Sequence, residues 1–228
     1  MAVTALHRRG LLSARPGAPE GAVIAPGTHG LRQAGLRDGL LFVPGTRDPA
    51  RPAGLLLMLH GAGAGAMDVL PMVSEAASRR GVVVLCPESE GATWDLLQRD
   101  YGPDVARIDE ALAATFDRLR IDPVRMALAG FSDGASYALS LGLANPALFA
   151  DLIAFSPGFV APTPGRPHPR IFVCHGRDDR VLPIDRCGRR VAQRLARDGY
   201  DVDWRDFAGG HVVPADMVEA ALDRAFTA

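Results

Sequence analysis

The stretch RMALAGFSDGASYALSLGLA, residues 125–144, decides the fold. Its first part, Met126 to Ala129, is a short apolar run of the kind a strand buried on both faces requires. Its last part, from Ala135, has the apolar density and length of a helix. Between them lies GFSDG, Gly130 to Gly134, a G-x-S-x-G string. Such a string recurs by chance, so its setting carries the weight. Strand, sharp turn and helix in succession make a turn that lifts one serine hydroxyl clear of the sheet. Glycines two residues either side of the serine have a steric reason, because side chains there would meet neighbouring backbone. Ser132 itself is expected in a strained conformation, with a serine nucleophile as the chemical reading.

The surrounding sequence repeats the strand–helix alternation. GLLLMLHG, GVVVLCPE, DLIAFSPG and RIFVCHGR are apolar runs that end in Gly, Pro or polar residues. YDVDWRDF alternates more and predicts a strand nearer the sheet edge. Helical spacing places Val69, Met72, Val73, Ala76 and Ala77 on one face. It does the same for Val105, Ile108, Ala111, Leu112, Thr115, Phe116 and Leu119. Leu139 with Leu143, Val191 with Leu195, and Met217, Leu222 and Phe226 continue the pattern. Alternation of this kind requires crossover connections, and so a doubly wound, mostly parallel sheet with helices on both faces. LRDGLLFVPG carries a DG turn signal beside an apolar run and predicts an antiparallel hairpin at the N-terminal edge. Residues 1–228 read as one domain, with 1–35 as an edge segment and no separate cap domain.

A serine hydroxyl needs a base within hydrogen-bond reach, and the base needs an orienting carboxylate. On this type of sheet the partners follow in the order serine, acid, histidine. FAGGHVVP follows the last strand and offers His211 behind a glycine pair. His7 and His29 lie in the irregular N-terminal region, and His168 in a Pro-rich loop. His60 and His175 end strands and are expected to support loops. VCHGRDDRVLP offers Asp178 and Asp179, and chemistry alone leaves the choice between them open. Acyl transfer also needs backbone N–H groups aimed at the developing oxyanion. LHGAGAGA, Leu59 to Ala66, is a Gly-rich loop that can approach the serine, which makes the N–H groups of Ala62 and Asp133 the expected donors. The loop lacks the lysine of a phosphate-binding GxxxxGK[ST] string.

With these four motifs in order, the chain from about Leu36 onward resembles the phospholipase/carboxylesterase group of α/β-hydrolases, which includes lysophospholipases and acyl-protein thioesterases. The resemblance rests on LHGAGAGA, GFSDG, CHGRDDRVLP and GGHVVP. It implies the α/β-hydrolase fold and a Ser132–His211–Asp179 triad. Asp179 is preferred over Asp178 because the group's acid stands four positions after the histidine of HG. Many members carry Gln after the nucleophile, whereas this chain has Asp133, and a carboxylate beside an oxyanion site opposes the charge unless it is paired. Trp94 in ATWDLL, Phe131 and Phe159 are candidates for the substrate pocket, with core packing the alternative for Trp94. The segment from about Glu88 to Asp104 is the one stretch available to cover the site.

Composition sets the remaining expectations. Hydrophobic residues make up 48% of the 228 and charged residues 22%, with a formal net charge of -1. That balance offers no basic excess for nucleic acid. Arg189, Arg190 and Arg194 read as a solvated helix face. No apolar window is long enough to span a bilayer, and the N-terminal patch after Arg8 and Arg9 is too short for a signal-peptide core. Cys86, Cys174 and Cys187 are three in number and show no metal spacing. The odd, low count fits a reducing compartment, with Cys86 and Cys174 as small buried core residues, so a cytoplasmic location is expected. A Cys174–Cys187 disulfide has no support. No metal or cofactor is needed, and the expected partner is a small-molecule ester, with a homodimer left open. A serine carboxylic-ester hydrolase is therefore expected. The rivals are a thioesterase, lysophospholipase or amidase on the same triad, or a non-catalytic small-molecule binding module. Dienelactone hydrolysis, which usually uses cysteine, is disfavoured by Ser132.

Overall fold

Buried strands and amphipathic helices sort as the apolar runs require. The computed structural model describes residues 3–21, 24–31, 38–98, 100–161 and 169–227. Among these residues eight strands form one sheet: β1 (Gly27–Gly30), β2 (Leu40–Val43), β3 (Ala53–Leu59), β4 (Val83–Cys86), β5 (Ile121–Phe131), β6 (Asp151–Phe155), β7 (Arg170–Gly176) and β8 (Val202–Phe207). Their spatial order is β1-β2-β4-β3-β5-β6-β7-β8. From β4 to β8 every neighbouring pair is parallel. β1 and β2 are antiparallel to each other, and β2 is antiparallel to β4, which gives the predicted N-terminal edge. Positions 32–37 of the hairpin connection lie outside the described residues, as does His168.

Among the described residues six α-helices accompany the sheet: α1 (Ala66–Arg79), α2 (Asp95–Gln98), α3 (Pro103–Arg118), α4 (Asp133–Ala144), α5 (Gly188–Arg197) and α6 (Ala215–Phe226). Strand side chains alternate between two cores because successive Cβ atoms point to opposite faces. Leu55, Leu57, Leu59, Leu128, Leu152 and Val173 pack with α3, α4 and α5 on one face. Leu56, Met58, Ala127, Ile153 and Phe172 pack with α1 and α6 on the other. The central strands are apolar on both sides for this reason, and β3, β4 and β6 are buried throughout. Edge strand β8 is mostly half-buried, which accounts for its alternating sequence. One periodicity expectation is corrected: Met72 is 36% exposed, because the buried arc of α1 runs through Val69, Leu70, Val73, Ala76 and Ala77.

Part of the N-terminal segment docks on α3 through a polar knot. The buried Asp109 carboxylate accepts the Ser13 and Ala14 amides at 2.8 Å each and lies 3.1 Å from the buried His7 Nε2. Burial pushes this carboxyl up, yet the bonds from Ala14, Ser13 and His7 outweigh it and hold it below its ordinary value. A buried carboxylate is tolerated because its lone pairs are filled. All three cysteines are free, and Cys86 and Cys174 are buried. Among the described residues no helix is long and apolar enough to cross a membrane.

The strand order reverses about β3: α1, which follows β3, packs on one face of the sheet, and α4, which follows β5, packs on the other. Loops leaving β3 and β5 at their carboxyl ends therefore part and leave a crevice. Ligands of open α/β sheets bind at such a point.

Candidate active site

Ser132 stands at the carboxyl end of β5, one residue before α4. Its backbone is at φ 58° and ψ −120°, outside the regions favoured by side-chain-bearing residues. Such a conformation costs about 1–3 kcal/mol and persists only where its surroundings enforce it. Here its N–H donates to the Phe155 carbonyl at 2.9 Å, tying the turn to β6. The flanking glycines are sterically required. A Cβ on Gly130 would lie 2.2 Å from the Gly134 carbonyl oxygen, and one on Gly134 would lie 2.4 Å from the carbonyl oxygens of Leu59 and His60.

The loops after β7 and β8 bring the two partners to this turn. They are zipped together: Arg177 N–H donates to the Phe207 carbonyl and Asp178 N–H to the Gly209 carbonyl, both at 2.9 Å. Gly176 allows this approach, since a Cβ there would sit 2.2 Å from the Gly210 oxygen. His211 Nε2 lies 2.9 Å from Ser132 Oγ, and His211 Nδ1 lies 2.6 Å from Asp179 Oδ2. The carboxylate can only accept from Nδ1–H, which leaves Nε2 free to accept the serine O–H. Asp178 is exposed and Asp179 buried, so the side chain that turns inward is Asp179.

Asp179 has four partners. Oδ1 accepts the amides of Val181 and Leu182 at 2.9 and 2.8 Å, and Oδ2 accepts from His211. The fourth is the buried His175, whose Nε2 lies 2.7 Å from the Leu182 carbonyl and 3.1 Å from Asp179 Oδ2. Both neighbours are acceptors, so His175 carries its proton on Nε2. Burial lowers the His175 pKa, in keeping with a neutral ring. Burial pushes the Asp179 carboxyl up, but the bonds from His211, Leu182 and Val181 outweigh it and keep the group below its ordinary value.

The Gly-rich loop after β3 passes against the same serine: a Cβ on Gly61 would sit 3.3 Å from Ser132 Cβ. The loop is held at several points. His60 Nδ1–H donates to the Gly61 carbonyl at 2.8 Å and His60 Nε2 accepts the Ser89 amide at 3.1 Å. Gly63 N–H donates to the Ala92 carbonyl at 2.7 Å, and Ala66 N–H to Glu88 Oε1 at 2.7 Å. Ala62, between these anchors, is exposed. Asp133, the first residue of α4, turns its carboxylate to Thr93, whose hydroxyl donates to Oδ2 at 2.7 Å. The sequence contained no signal for this pairing.

Trp94 is corrected from pocket wall to core. It is fully buried, stacks 5.1 Å from Tyr137, and donates its indole N–H to the His60 carbonyl at 2.8 Å. Burial with a satisfied N–H makes it a prop beneath the Gly-rich loop. The segment from Glu88 to Asp104 likewise packs down. Asp104 accepts the Glu90 and Asp95 amides at 2.7 Å each, and Asp95 accepts the Tyr137 hydroxyl at 2.9 Å. Phe131 does lie beside the cluster, its ring centroid 4.8 Å from that of His211, and Phe159 is 38% exposed. Two residues without a sequence signal join them: Val181, next to the acid loop's turn, and Val212, beside His211, expose 66% and 52% of their surface. Solvent-facing valines next to a polar cluster suit contact with an apolar ligand. Among the described residues no group of three His, Cys, Asp or Glu is placed to hold a metal ion.

Residues 104–225, more than half of the chain, match the family model described as phospholipase/carboxylesterase. The chain belongs to this family. Among curated relatives of this family member, feruloyl esterase C of Emericella nidulans is 29% identical over 166 residues, covering 69% of this chain and 60% of the relative. Acyl-protein thioesterase 1 of Gibberella zeae is 32% identical over 115 residues, 45% of this chain and 48% of the relative. The match thus spans 60% of the length of the first relative and just under half of the second. A solved thermostable esterase superposes with a TM-score of 0.66 at 22% identity, over 83% of this chain and 58% of that one. The Bacillus cereus carboxylesterase does so with a TM-score of 0.61 at 20% identity, over 82% and 94%. These likenesses establish the α/β-hydrolase fold.

Proposed function

We propose that the protein is a serine hydrolase that cleaves carboxylic esters through an acyl-enzyme. The observation that carries the reading is the unbroken chain Ser132 Oγ, His211, Asp179, with separations of 2.9 and 2.6 Å. Ser132 attacks the ester carbonyl while His211 Nε2 takes its proton. Asp179 holds the ring in the tautomer that makes Nε2 the acceptor, and stabilises the imidazolium that forms. The four bonds to Asp179 fix that carboxylate and keep it ionised.

The tetrahedral intermediate carries its charge on the former carbonyl oxygen. The N–H groups of Ala62 and Asp133 are the donors for it: one lies in the anchored Gly-rich loop, the other opens α4 directly after the nucleophile. A donor at a helix N-terminus also places the positive end of the helix dipole against the oxyanion. The Thr93 bond draws the Asp133 carboxylate aside and offsets its negative charge, which reconciles an acidic residue with this position. His211 then returns the proton to the leaving alcohol, and water, activated by the same histidine, releases the acid. Phe131, Val181 and Val212 supply the apolar contact for the ester. Thioesters pass through the same intermediates.

The test is hydrolysis of p-nitrophenyl butyrate by the parent and by Ser132→Ala. The parent turns the ester over, and the variant, with an unchanged circular dichroism spectrum, loses at least a thousandfold in kcat. A folded variant within a few-fold of the parent refutes the assignment.

A further inference from the structure

The arginines of α5 do not behave as one solvated face. Arg189 is paired, with Asp185 and with Asp206 at 3.5 Å. Arg194 donates Nη1–H to the Val160 carbonyl at 3.1 Å and lies 3.7 Å from Asp198. Arg190, and Arg186 just ahead of the helix, differ: among the described residues no carboxylate comes within ion-pair distance of either. All Asp and Glu positions of the chain are described ones, so no undescribed acidic side chain remains to neutralise them.

The two unpaired guanidinium groups share a cavity of about 220 Å³ with Phe159, Val160, Val191 and Arg194. Val160 and Val191 are buried and Phe159 is 38% exposed, so cationic groups stand over apolar walls. The cavity wall is attached to the catalytic turn. Gly158 and Phe159 donate their N–H groups to Ser136 Oγ at 2.9 and 3.3 Å, and Ala161 N–H donates to Ser140 Oγ at 3.0 Å. Ser136 stands one turn of α4 after Ser132, a rise of about 6 Å. On the other side, a Cβ on Gly158 would lie 3.6 Å from the Leu182 side chain, and Leu182 is the residue whose amide binds Asp179. The cavity therefore adjoins both the nucleophile's helix and the acid's loop.

We infer that this cavity, lined by Arg186 and Arg190, receives a carboxylate or phosphate group carried by the ester, so that the enzyme prefers anionic esters to neutral ones of the same size. Arginine's planar fork matches both oxyanions, and Phe159 offers a face to the chain linking the anion to the ester. This inference rests on the ester-hydrolase reading above and adds a substrate class to it.

The experiment compares kcat/KM for three esters: neutral p-nitrophenyl butyrate, p-nitrophenyl hydrogen glutarate with its anion on the acyl side, and 3-butanoyloxy-4-nitrobenzoate with its anion on the leaving group. For the Arg186→Gln/Arg190→Gln double variant, the ratio of kcat/KM for one of the anionic esters to that for the neutral one falls about tenfold or more. Which anionic ester responds tells whether the cavity serves the acyl or the alcohol side. Arg197→Gln, on the same helix away from the cavity, leaves the ratios unchanged. In the parent, raising ionic strength from 0.05 to 0.5 M lowers the responding ratio, since Arg186 and Arg190 are exposed and exposed charges are screened. This salt series and the two single variants decide the matter if the double variant does not fold. Equal ratios in parent and folded double variant, with p-nitrophenyl butyrate still hydrolysed, overturn the anion site and leave the hydrolase reading standing. A parent that hydrolyses none of the three overturns both.

Discussion

Replacing Asp179 by Asn changes one oxygen to an amide and keeps the shape, yet the surroundings leave the amide no acceptable orientation. Oδ1 faces two N–H donors, from Val181 and Leu182, and Oδ2 faces two more, from His211 and His175. If the new NH2 replaces Oδ2, it meets His175 Nε2–H, and His211 is driven to accept at Nδ1. Its Nε2 then carries a proton toward Ser132 and cannot act as base. If the NH2 replaces Oδ1, it opposes the two amides that shape the acid loop. The first arrangement sets one donor against another in a buried site, which costs about 1–3 kcal/mol of stability. The wrong tautomer costs about 10⁴ in kcat, the magnitude known for this change in a serine protease, or about 5–6 kcal/mol in the barrier. Asp178 is exposed and contributes its backbone N–H, so Asp178→Asn changes kcat by less than about threefold. The assay is p-nitrophenyl butyrate hydrolysis with thermal melts run alongside. An Asp179→Asn protein that folds and keeps a tenth of the parent rate, or an Asp178→Asn loss exceeding that of Asp179→Asn, refutes the reasoning.

Two further outcomes follow from the geometry. Thr93→Val removes the hydroxyl paired with Asp133 and returns an uncompensated carboxylate to the oxyanion site; kcat falls about tenfold, while Thr93→Ser keeps the parent rate, and equal rates for Val and Ser would remove this role. Asp104 is buried, and desolvation, offset in part by the Glu90 and Asp95 amides, raises its pKa to about 6. Because the folded carboxyl then holds a proton that the unfolded chain has released, its contribution to stability falls as pH rises from about 4 to 6 and stays low above that. The loss is at most about 3 kcal/mol. Urea denaturation at pH 4 and pH 7 should show this decline in the parent and a smaller one in Asp104→Asn, and an identical pH dependence in both proteins would count against it.

The frame was legible because central parallel strands are buried on both faces and leave continuous apolar runs. The serine turn was legible because its two glycines answer to backbone clashes that no other residue relieves. The order of acid and histidine loops was readable for the same topological reason. The choice between Asp178 and Asp179 was not, because adjacent loop residues differ only in which one the backbone turns inward. That depends on Gly176 lying against the carbonyls of Gly209 and Gly210. Trp94 was ambiguous because an aromatic residue beyond a strand end has the same pattern in a pocket and in a core. Its indole bond to the His60 carbonyl, 34 residues away, separates the two. Thr93 and Asp133 meet across 40 residues, and Val181 and Val212 are single valines in irregular loops. Neither pairing carries a period that a sequence can display. The arginines of α5 looked alike because sequence does not show which of them have carboxylate neighbours.

The central claim is that His211 activates Ser132, and a fluorophosphonate probe tests it most directly because phosphonylation needs an activated serine and no knowledge of the natural substrate. Mapping the modified peptide by mass spectrometry should place the adduct on Ser132 in the parent. In a folded His211→Gln variant, labelling should slow by several orders of magnitude. A parent that stays unlabelled, labels at another serine, or labels as fast without the imidazole would contradict the account.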